Sequence, residues 1–171
     1  MKTSEINVLK RNGRGKEPLN IDKIHSMVGY ATEGITGVSA SHVEMNSGIQ
    51  FADGMSTDDI QQILIKSAND LISLENPNYQ YVAARLLLFS LRKKLYRRLW
   101  EHPKFIDQIK NCITQGVYDK DILTHYTESE IDRMGMWIHH EQDYKFTYAG
   151  LRQVMDKYLV QDRSNGDIFE T

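Results

Sequence analysis

The residues of this sequence best suited to chemistry are four cations that could bind a polyanion such as a phosphate chain. Lys10 and Arg11 follow a predicted strand, just before a turn at Gly13, and Lys23 lies one turn into a predicted helix. Lys93 falls on the apolar stripe of a later helix, where an apolar residue would be expected. Cationic groups pair well with phosphate oxygens. The sequence therefore predicts a polyanion pocket where a small sheet meets a helical bundle.

Three polar residues could complete such a pocket, and each also has a simpler explanation. Asn20 precedes the helix of Lys23 and is a typical N-cap, and helix N-termini suit phosphate. Thr57 and Gln61 share a face of another predicted helix, although capping alone explains Thr57. Lys10 and its neighbour cannot line one face, because adjacent strand residues point to opposite sides. Solvated surface cations remain the alternative interpretation of Lys10, Arg11 and Lys23, and Lys93 could simply extend its side chain to the rim of the bundle.

Other candidate chemistry is weaker. The basic cluster between Arg85 and Arg98 is spread around its helix and matches no nucleic-acid motif, so a solvated face or a partner contact is favoured over nucleic acid. His139 and His140 are adjacent and point about 100° apart on a helix, which does not favour a shared metal. Cys112 has the apolar context of a buried, inert thiol. We predict no catalytic residue and no metal site.

Composition limits the class of protein. The chain has 171 residues, 40% of them hydrophobic, a formal net charge of −2 and a single cysteine, which excludes an internal disulfide and a cysteine-rich zinc site. It shows neither a signal peptide nor an apolar run long enough to span a bilayer. We expect a cytoplasmic protein that binds neither membrane nor nucleic acid.

The elements that would position the cations are two short strands and four helices. Residues 6–10 and 16–19 are predicted strands of a hairpin. Four helix starts are predicted: Asn20, the capping pair Ser41 and Glu44, Ser56 or Thr57, and Pro77, whose helix runs to about Leu99. We expect a mainly α (α+β) fold, in which a four-helix bundle is capped by a small β-sheet.

A second, helical segment is expected over residues 96–171, after a domain of residues 1–95. Its helices are predicted over residues 103–115 and 119–126, from a capping pair at Thr127 and Glu130, and over residues 148–158. It ends in a predicted β-hairpin around Gly166. That hairpin has little core of its own, so we expect it to dock onto something outside this chain.

Four short motifs stand in one order along the first domain: Val8, Lys10, Arg11 and Gly13; Glu17, Asn20, Lys23 and Ile24; Asp53, Gly54, Thr57, Asp59 and Ile60; and Tyr79, Tyr81, Ala83, Ala84, Arg85 and Leu86. Together they resemble the ATP-cone, the regulatory domain at the N-terminus of the class I ribonucleotide reductase large subunit. The similarity continues through residues 146–148, 157–160 and 168–171 and is of the bacterial or phage type.

The resemblance implies an allosteric site for ATP or dATP with Mg²⁺, at which ATP activates and dATP inhibits. The triphosphate would be held by Lys10, Arg11, Lys23 and Lys93. Thr57 and Gln61 would line the helical side. The base and ribose would lie against one segment, made of Glu17, Pro18, Leu19, Asn20, Ile21, Asp22 and Lys23.

Two positions depart from well-regulated relatives, which carry histidine where this chain has Gln61 and Ser90. Neither residue can become cationic. We therefore expect nucleotide binding with weakened dATP inhibition. A degenerate cone, which serves as a structural or assembly element without binding nucleotide, is the alternative. A cone-containing transcriptional repressor is a remote one, because its zinc ribbon needs paired cysteines.

The resemblance also implies partners, because large subunits of this family continue into a ten-stranded catalytic barrel that this chain does not include. Such a chain would not reduce a ribonucleotide alone. We expect it to work with the barrel portion of the large subunit, supplied by a separate chain, and with the radical-generating small subunit. The alternative is that the sequence is a fragment of a longer chain. The cytoplasm would be that of the host if the protein is phage-encoded.

Overall fold

The computed structural model describes residues 6–10, 15–99 and 101–171. These residues form eight α-helices, one 3-10 helix and two short antiparallel strand pairs, which confirms the predicted fold class. The chain divides into two compact units. The first is Met1–Leu87 with Phe146–Ala149, and the second is Leu88–Lys145 with Gly150–Thr171. No helix in the described ranges combines the length and the apolar character that crossing a bilayer requires.

The first unit begins with a β-hairpin whose strands are β1, Asn7–Leu9, and β2, Lys16–Pro18. Their register places Val8 opposite Glu17. The Lys10 N–H donates to the Gly15 carbonyl oxygen at 3.2 Å and closes the hairpin. Gly15 has φ +98°, a left-handed conformation that glycine adopts at little cost. The hairpin is therefore in the predicted place, with slightly shorter strands.

Four helices follow the hairpin: α1, Ile21–Thr32; α2, Ala40–Gly48; α3, Thr57–Asp70; and α4, Tyr79–Tyr96, which continues into the second unit. Ile24, Val28 and Ala31, which fall at helical spacing on α1, are buried, whereas Ile21 is 71% exposed. Side chains from β1 and all four helices form the core, among them Val8, Val28, Val43, Leu64, Val82 and Leu86.

The predicted start of α2 is wrong. The helix begins at Ala40 with Ser39 as N-cap, so Ser41 lies inside it. Tertiary contacts override the local capping signal. The Glu44 carboxylate lies 2.8 Å from His25 Nδ1 and does not cap the helix, and the Ser39 N–H donates to the Tyr79 hydroxyl at 3.0 Å.

The second unit contains the last part of α4 and most of the remaining elements: α5, Phe105–Thr114; α6, Ile122–His125; α7, Glu128–Gly135; the 3-10 helix, His140–Lys145; α8, Tyr148–Lys157; β3, Gln161–Asp162; and β4, Asp167–Ile168. The predicted capping box of Thr127 and Glu130 at α7 is present. α5 and α7 share a small core of Ile106, Ile109 and Ile131. They approach so closely that a Cβ on Gly135 would lie 2.6 Å from the Phe105 Cβ.

The sequence predicted that α4 runs to about Leu99, but the helix ends at Tyr96. Arg97 takes a left-handed conformation with φ +60°, while its N–H still bonds the Lys93 carbonyl oxygen at 3.2 Å. A left-handed residue directly after a helix is a common way of ending it. Here the position is filled by a non-glycine residue, which gives no signal in the sequence.

Arg92 on α4 is a buried charge, with 2% of its surface exposed. Its guanidinium donates to Asp143 Oδ2 at 2.7 Å, to the Tyr144 hydroxyl at 3.1 Å and to the His140 carbonyl oxygen at 3.3 Å. The expectation of a solvated basic face is therefore wrong for this residue. Arg92 fastens the 3-10 helix to α4, and the sequence predicted neither that helix nor the contact.

The C-terminal hairpin is also in the predicted place, but its end is held by the second unit itself. The Gln108 Nε2 donates to the Phe169 carbonyl oxygen at 2.6 Å, and the Tyr96 hydroxyl lies 3.0 Å from Thr171 Oγ1. Cys112 is fully buried, as expected, with its sulfur 3.7 Å from the Phe169 carbonyl oxygen. The expected docking onto something outside this chain is therefore not needed to hold these residues.

Candidate functional site

Lys10 and Glu17 form an ion pair at the end of the β1–β2 hairpin that the Lys10–Gly15 hydrogen bond closes, and Lys10 Nζ lies 2.9 Å from Glu17 Oε2. The strand register explains the pair. Val8 and Glu17 are directly opposite and so share a face, and Lys10, two residues after Val8, lies on the same face. Val8 is buried, which makes this the core-facing side of the hairpin. Both charged side chains stay partly exposed at its edge.

Lys23 adds a second positive charge near the Glu17 carboxylate. The hydrogen bond from Lys10 lowers the pKa of Glu17 below its usual value, while partial desolvation opposes the shift, and the charges of Lys10 and Lys23 lower it further. Glu17 is therefore ionised at neutral pH. Two predicted phosphate ligands, one on the hairpin and one on α1, act on the same carboxylate.

The start of α1 supplies the helix N-terminus predicted for this site. The Leu19 N–H donates to the Ile6 carbonyl oxygen at 2.8 Å, so hairpin pairing continues almost to the helix. Asn20 is the N-cap, as predicted, and its Oδ1 accepts from the Lys23 N–H at 2.9 Å. Residues 20–23 are exposed. The first N–H groups of a helix have no partner within it, and together with the partial positive charge of a helix start they suit an anion.

A segment before α3 joins the other side of β1. The Leu9 N–H donates to the Met55 carbonyl oxygen at 2.8 Å, and the Gly54 N–H donates to the Asn7 carbonyl oxygen at 2.7 Å. The Asn7 N–H donates to Asp53 Oδ1 at 2.8 Å, and this bond is the largest cause of the lowered pKa of Asp53. The sequence alone did not predict that Asp53 would bond to β1, although Asp-Gly is a typical turn signal.

This segment delivers the N-terminus of α3 to the strand that leads to Lys10. Ser56 forms an isolated parallel bridge with Leu9 and caps α3 in a complete capping box with Asp59. Thr57 is the first residue of the helix and is partly buried. The starts of α1 and α3 therefore adjoin opposite ends of β1, α1 beside Ile6 and α3 beside Leu9.

Gln61 lies one turn further along α3 and is 5% exposed. Its Nε2 donates to the Leu86 carbonyl oxygen of α4 at 2.9 Å. This side chain therefore has a structural hydrogen bond between two helices. Its predicted contact with a ligand stays a prediction.

The structure does not test two of the predicted phosphate ligands. Arg11 is outside the described ranges. Lys93 is exposed on α4 and belongs to the second unit, whereas residues 6–10, 15–23 and 53–61 belong to the first. The structure thus brings the charges of Lys10, Glu17 and Lys23 together, with Lys23 in the first turn of α1. The role of Lys93 stays a prediction.

The second unit has a cavity of about 350 Å³ at the corner between α4 and α5. Its lining includes the carboxylates of Glu101 and Asp107 and one cation, Arg98, which is itself paired with Glu101. A polyanion would meet more negative than positive charge there. Across the described ranges, no three histidine, cysteine or acidic side chains converge as a metal site would require. The hairpin end of the first unit is therefore the better candidate for an anion.

Comparison with known proteins gives one family. The model of the ATP cone domain matches residues 6–94. Ribonucleoside-diphosphate reductase 1 subunit alpha of Escherichia coli strain K12 is 46% identical over 164 residues, which cover 96% of this chain and 21% of that protein. The alpha subunit of Enterobacteria phage T4 is 44% identical over 166 residues, 97% of this chain and 22% of that protein.

A more distant relative is the ribonucleoside-diphosphate reductase alpha subunit of Helicobacter pylori, which is 37% identical over 168 residues and covers 95% of this chain. The matches fall in the N-terminal region of these alpha subunits. The chain spans about a fifth of the length of the relatives it matches, 20% to 22% in these three.

Proposed function

The chain belongs to the family of ribonucleoside-diphosphate reductase alpha subunits, with an ATP-cone domain over residues 6–94, and we propose that it binds ATP or dATP there as an allosteric effector. The observation that carries the proposal is that the charges of Lys10 and Lys23 both act on Glu17, with Lys23 in the exposed first turn of α1. Two ammonium groups and a helix N-terminus form a suitable environment for a triphosphate. Two carboxylates oppose an anion here, those of Glu17 and of Asp22 in the first turn of α1.

In this proposal the triphosphate lies against Lys10, Arg11 and Lys23. The segment of residues 17–23 contacts the base and ribose. Lys93 also holds the triphosphate, and Thr57 and Gln61 line the helical side. Mg²⁺ accompanies the nucleotide, because a bound triphosphate normally carries it.

The proposed partners follow from the relatives, of which this chain matches about a fifth. We place the chain with a reductase alpha-subunit portion that carries the catalytic barrel, supplied as a separate polypeptide, and with a radical-generating small subunit. The assembly contributes to deoxyribonucleotide synthesis in the cytoplasm. Co-expression with the barrel portion should give a stoichiometric complex, and failure of the two to co-purify would oppose this assignment.

One observation favours a second candidate function, a cone that serves only as a structural element. Gln61 is almost fully buried, and its Nε2 is engaged by the Leu86 carbonyl oxygen. A side chain committed to holding two helices together suits a structural role. The cations at the hairpin end favour the nucleotide-binding function instead.

Calorimetric titration of the folded chain with ATP and with dATP, each with Mg²⁺, tests the proposal. We expect binding that Lys10→Ala and Lys23→Ala each weaken by about tenfold or more, because each removes a charged hydrogen-bond donor. Lys66→Ala is the control, since Lys66 is exposed on α3 and pairs with Asp70 at 2.5 Å. It should bind like the unaltered protein.

Two further results decide between the functions. A folded chain that binds neither nucleotide, alone or with the barrel portion added, would leave the structural element as the function. Lys93→Ala tests the remaining predicted cation separately. Unchanged affinity in that variant would exclude Lys93 from the site and leave the hairpin-end residues as the phosphate ligands.

A further inference from the structure

The Lys10 ammonium group, which would bind a phosphate, is already paired with the Glu17 carboxylate. Lys10 Nζ is 2.9 Å from Glu17 Oε2, which is hydrogen-bonding distance. The Lys23 charge also acts on Glu17. In the structure both lysines thus have an anion nearby, and this anion belongs to the protein.

Resting on the nucleotide site proposed above, we propose that Glu17 is an internal competitor of the ligand, and that the phosphates must take Lys10 from it in order to bind. Without phosphate, Lys10 stays paired with Glu17. Binding exchanges one anion for another on the same ammonium group. Glu17 thereby sets how much phosphate charge is needed to occupy the site.

Charge makes this exchange necessary. A lysine ammonium has three N–H donors and could in principle serve both anions. A carboxylate and a triphosphate on one ammonium would, however, lie within a few ångströms of each other, where like charges repel at a partly exposed site. Glu17 therefore loses its bond to Lys10 when phosphate arrives.

Inorganic tripolyphosphate is the probe that isolates this competition, because it has the phosphates of ATP without base or ribose. Glu17→Gln should bind tripolyphosphate about two- to fivefold more tightly than the unaltered chain, the scale of one partly exposed ion pair. A damaged fold would weaken binding, so a gain cannot come from disruption. Titration with MgATP is run in parallel.

Two controls separate competition from a general charge effect. Asp22→Asn removes one negative charge from the first turn of α1 and leaves the Lys10–Glu17 pair in place. Its affinity for tripolyphosphate should therefore rise less than that of Glu17→Gln. In a Lys10→Ala background, Glu17→Gln should gain no more affinity than Asp22→Asn does, because the Lys10 ammonium for which the two anions compete is gone. A larger gain without Lys10 would overturn the inference.

The outcomes also distinguish this inference from the nucleotide site itself. If the unaltered chain and Glu17→Gln both fail to bind MgATP and tripolyphosphate, the proposed site is wrong and this inference falls with it. If the unaltered chain binds MgATP but Glu17→Gln binds tripolyphosphate equally or more weakly, only the competition is wrong. If Glu17→Gln binds tripolyphosphate more tightly but MgATP more weakly than the unaltered chain, the competition stands, and Glu17 also contacts the nucleoside.

Discussion

His102 lies in the second unit beside Arg92 and His140. Its ring stacks on the His140 ring with centroids 3.5 Å apart, and its Nδ1 is buried with no hydrogen-bond partner in the described residues. Burial is the largest cause that lowers the pKa of His102, to about 4, and the charges of Arg92 and His140 add to it. At neutral pH the ring is therefore uncharged.

This low pKa predicts a loss of stability in acid. In the unfolded chain the ring has its ordinary pKa of 6.5. As the pH falls from about 6.5 to 4, the unfolded state therefore takes up a proton before the folded state does. The free energy of unfolding should fall by roughly 1 kcal/mol over this range from His102, a value reduced for the partial exposure of the ring. Urea unfolding at several pH values measures the effect.

The matched variant is His102→Phe, which keeps an aromatic ring and removes the titrating group. Its free energy of unfolding should depend less steeply on pH between 6.5 and 4. Equal slopes for the two proteins would mean that His102 does not carry the effect.

Single residues also show how far the site could be predicted from the sequence. Strand alternation predicted that Lys10 and its neighbour face opposite sides, and the N-cap rule found Asn20. The partner of Lys10 was not predicted. Glu17 meets it only because the register places Glu17 opposite Val8, and register depends on the whole hairpin.

At the level of helices and strands, the starts that depend on local hydrogen bonds were predicted well. Capping at Ser56 and at Thr127 is present, because a serine or threonine and an acidic residue three positions later satisfy the first N–H groups without outside help. The start of α2 was not predicted correctly, since Ser39 and Glu44 bond to residues far along the chain. The same applies to the 3-10 helix, which is held by Arg92, 51 residues before Asp143.

This difference predicts unequal effects of two serine substitutions. Ser56→Ala removes the Oγ that accepts from the Asp59 N–H at 3.0 Å and should lower the free energy of unfolding by about 1 kcal/mol. Ser41→Ala alters the serine that sequence alone placed at a helix start. Ser41 is exposed inside α2, so the change should stay within about 0.5 kcal/mol. Chemical denaturation of both variants checks this, and a larger loss for Ser41→Ala would contradict the observed cap.

For the whole molecule, the predicted regulation depends on two positions that cannot gain charge. Gln61 is buried in the first unit with a bond to the Leu86 carbonyl oxygen, and Ser90 is partly buried on α4. Neither side chain can become cationic as histidine can. Without that added charge, the site should respond more similarly to ATP and to dATP.

We therefore expect ATP and dATP to change the activity of the assembled reductase by amounts that differ by less than about tenfold, the low end of allosteric coupling. The measurement is ribonucleotide reduction by this chain with the barrel portion and the small subunit, at saturating effector. The double variant Gln61→His with Ser90→His should widen the difference. Complete inhibition of the unaltered assembly by micromolar dATP would show the prediction to be wrong.

Helix α4 has a consequence for the exchange of this domain between proteins. The two units divide between Leu87 and Leu88, whereas the helix runs on to Tyr96. A graft cut at the division would end in mid-helix, and the carbonyl groups of its last turn would lose their partners. A graft extended to Tyr96 would carry Leu88, Phe89 and Leu91, each at most 4% exposed here, onto the surface of its new host. Transplanting the cone therefore requires a recipient with an apolar surface ready to cover the end of this helix.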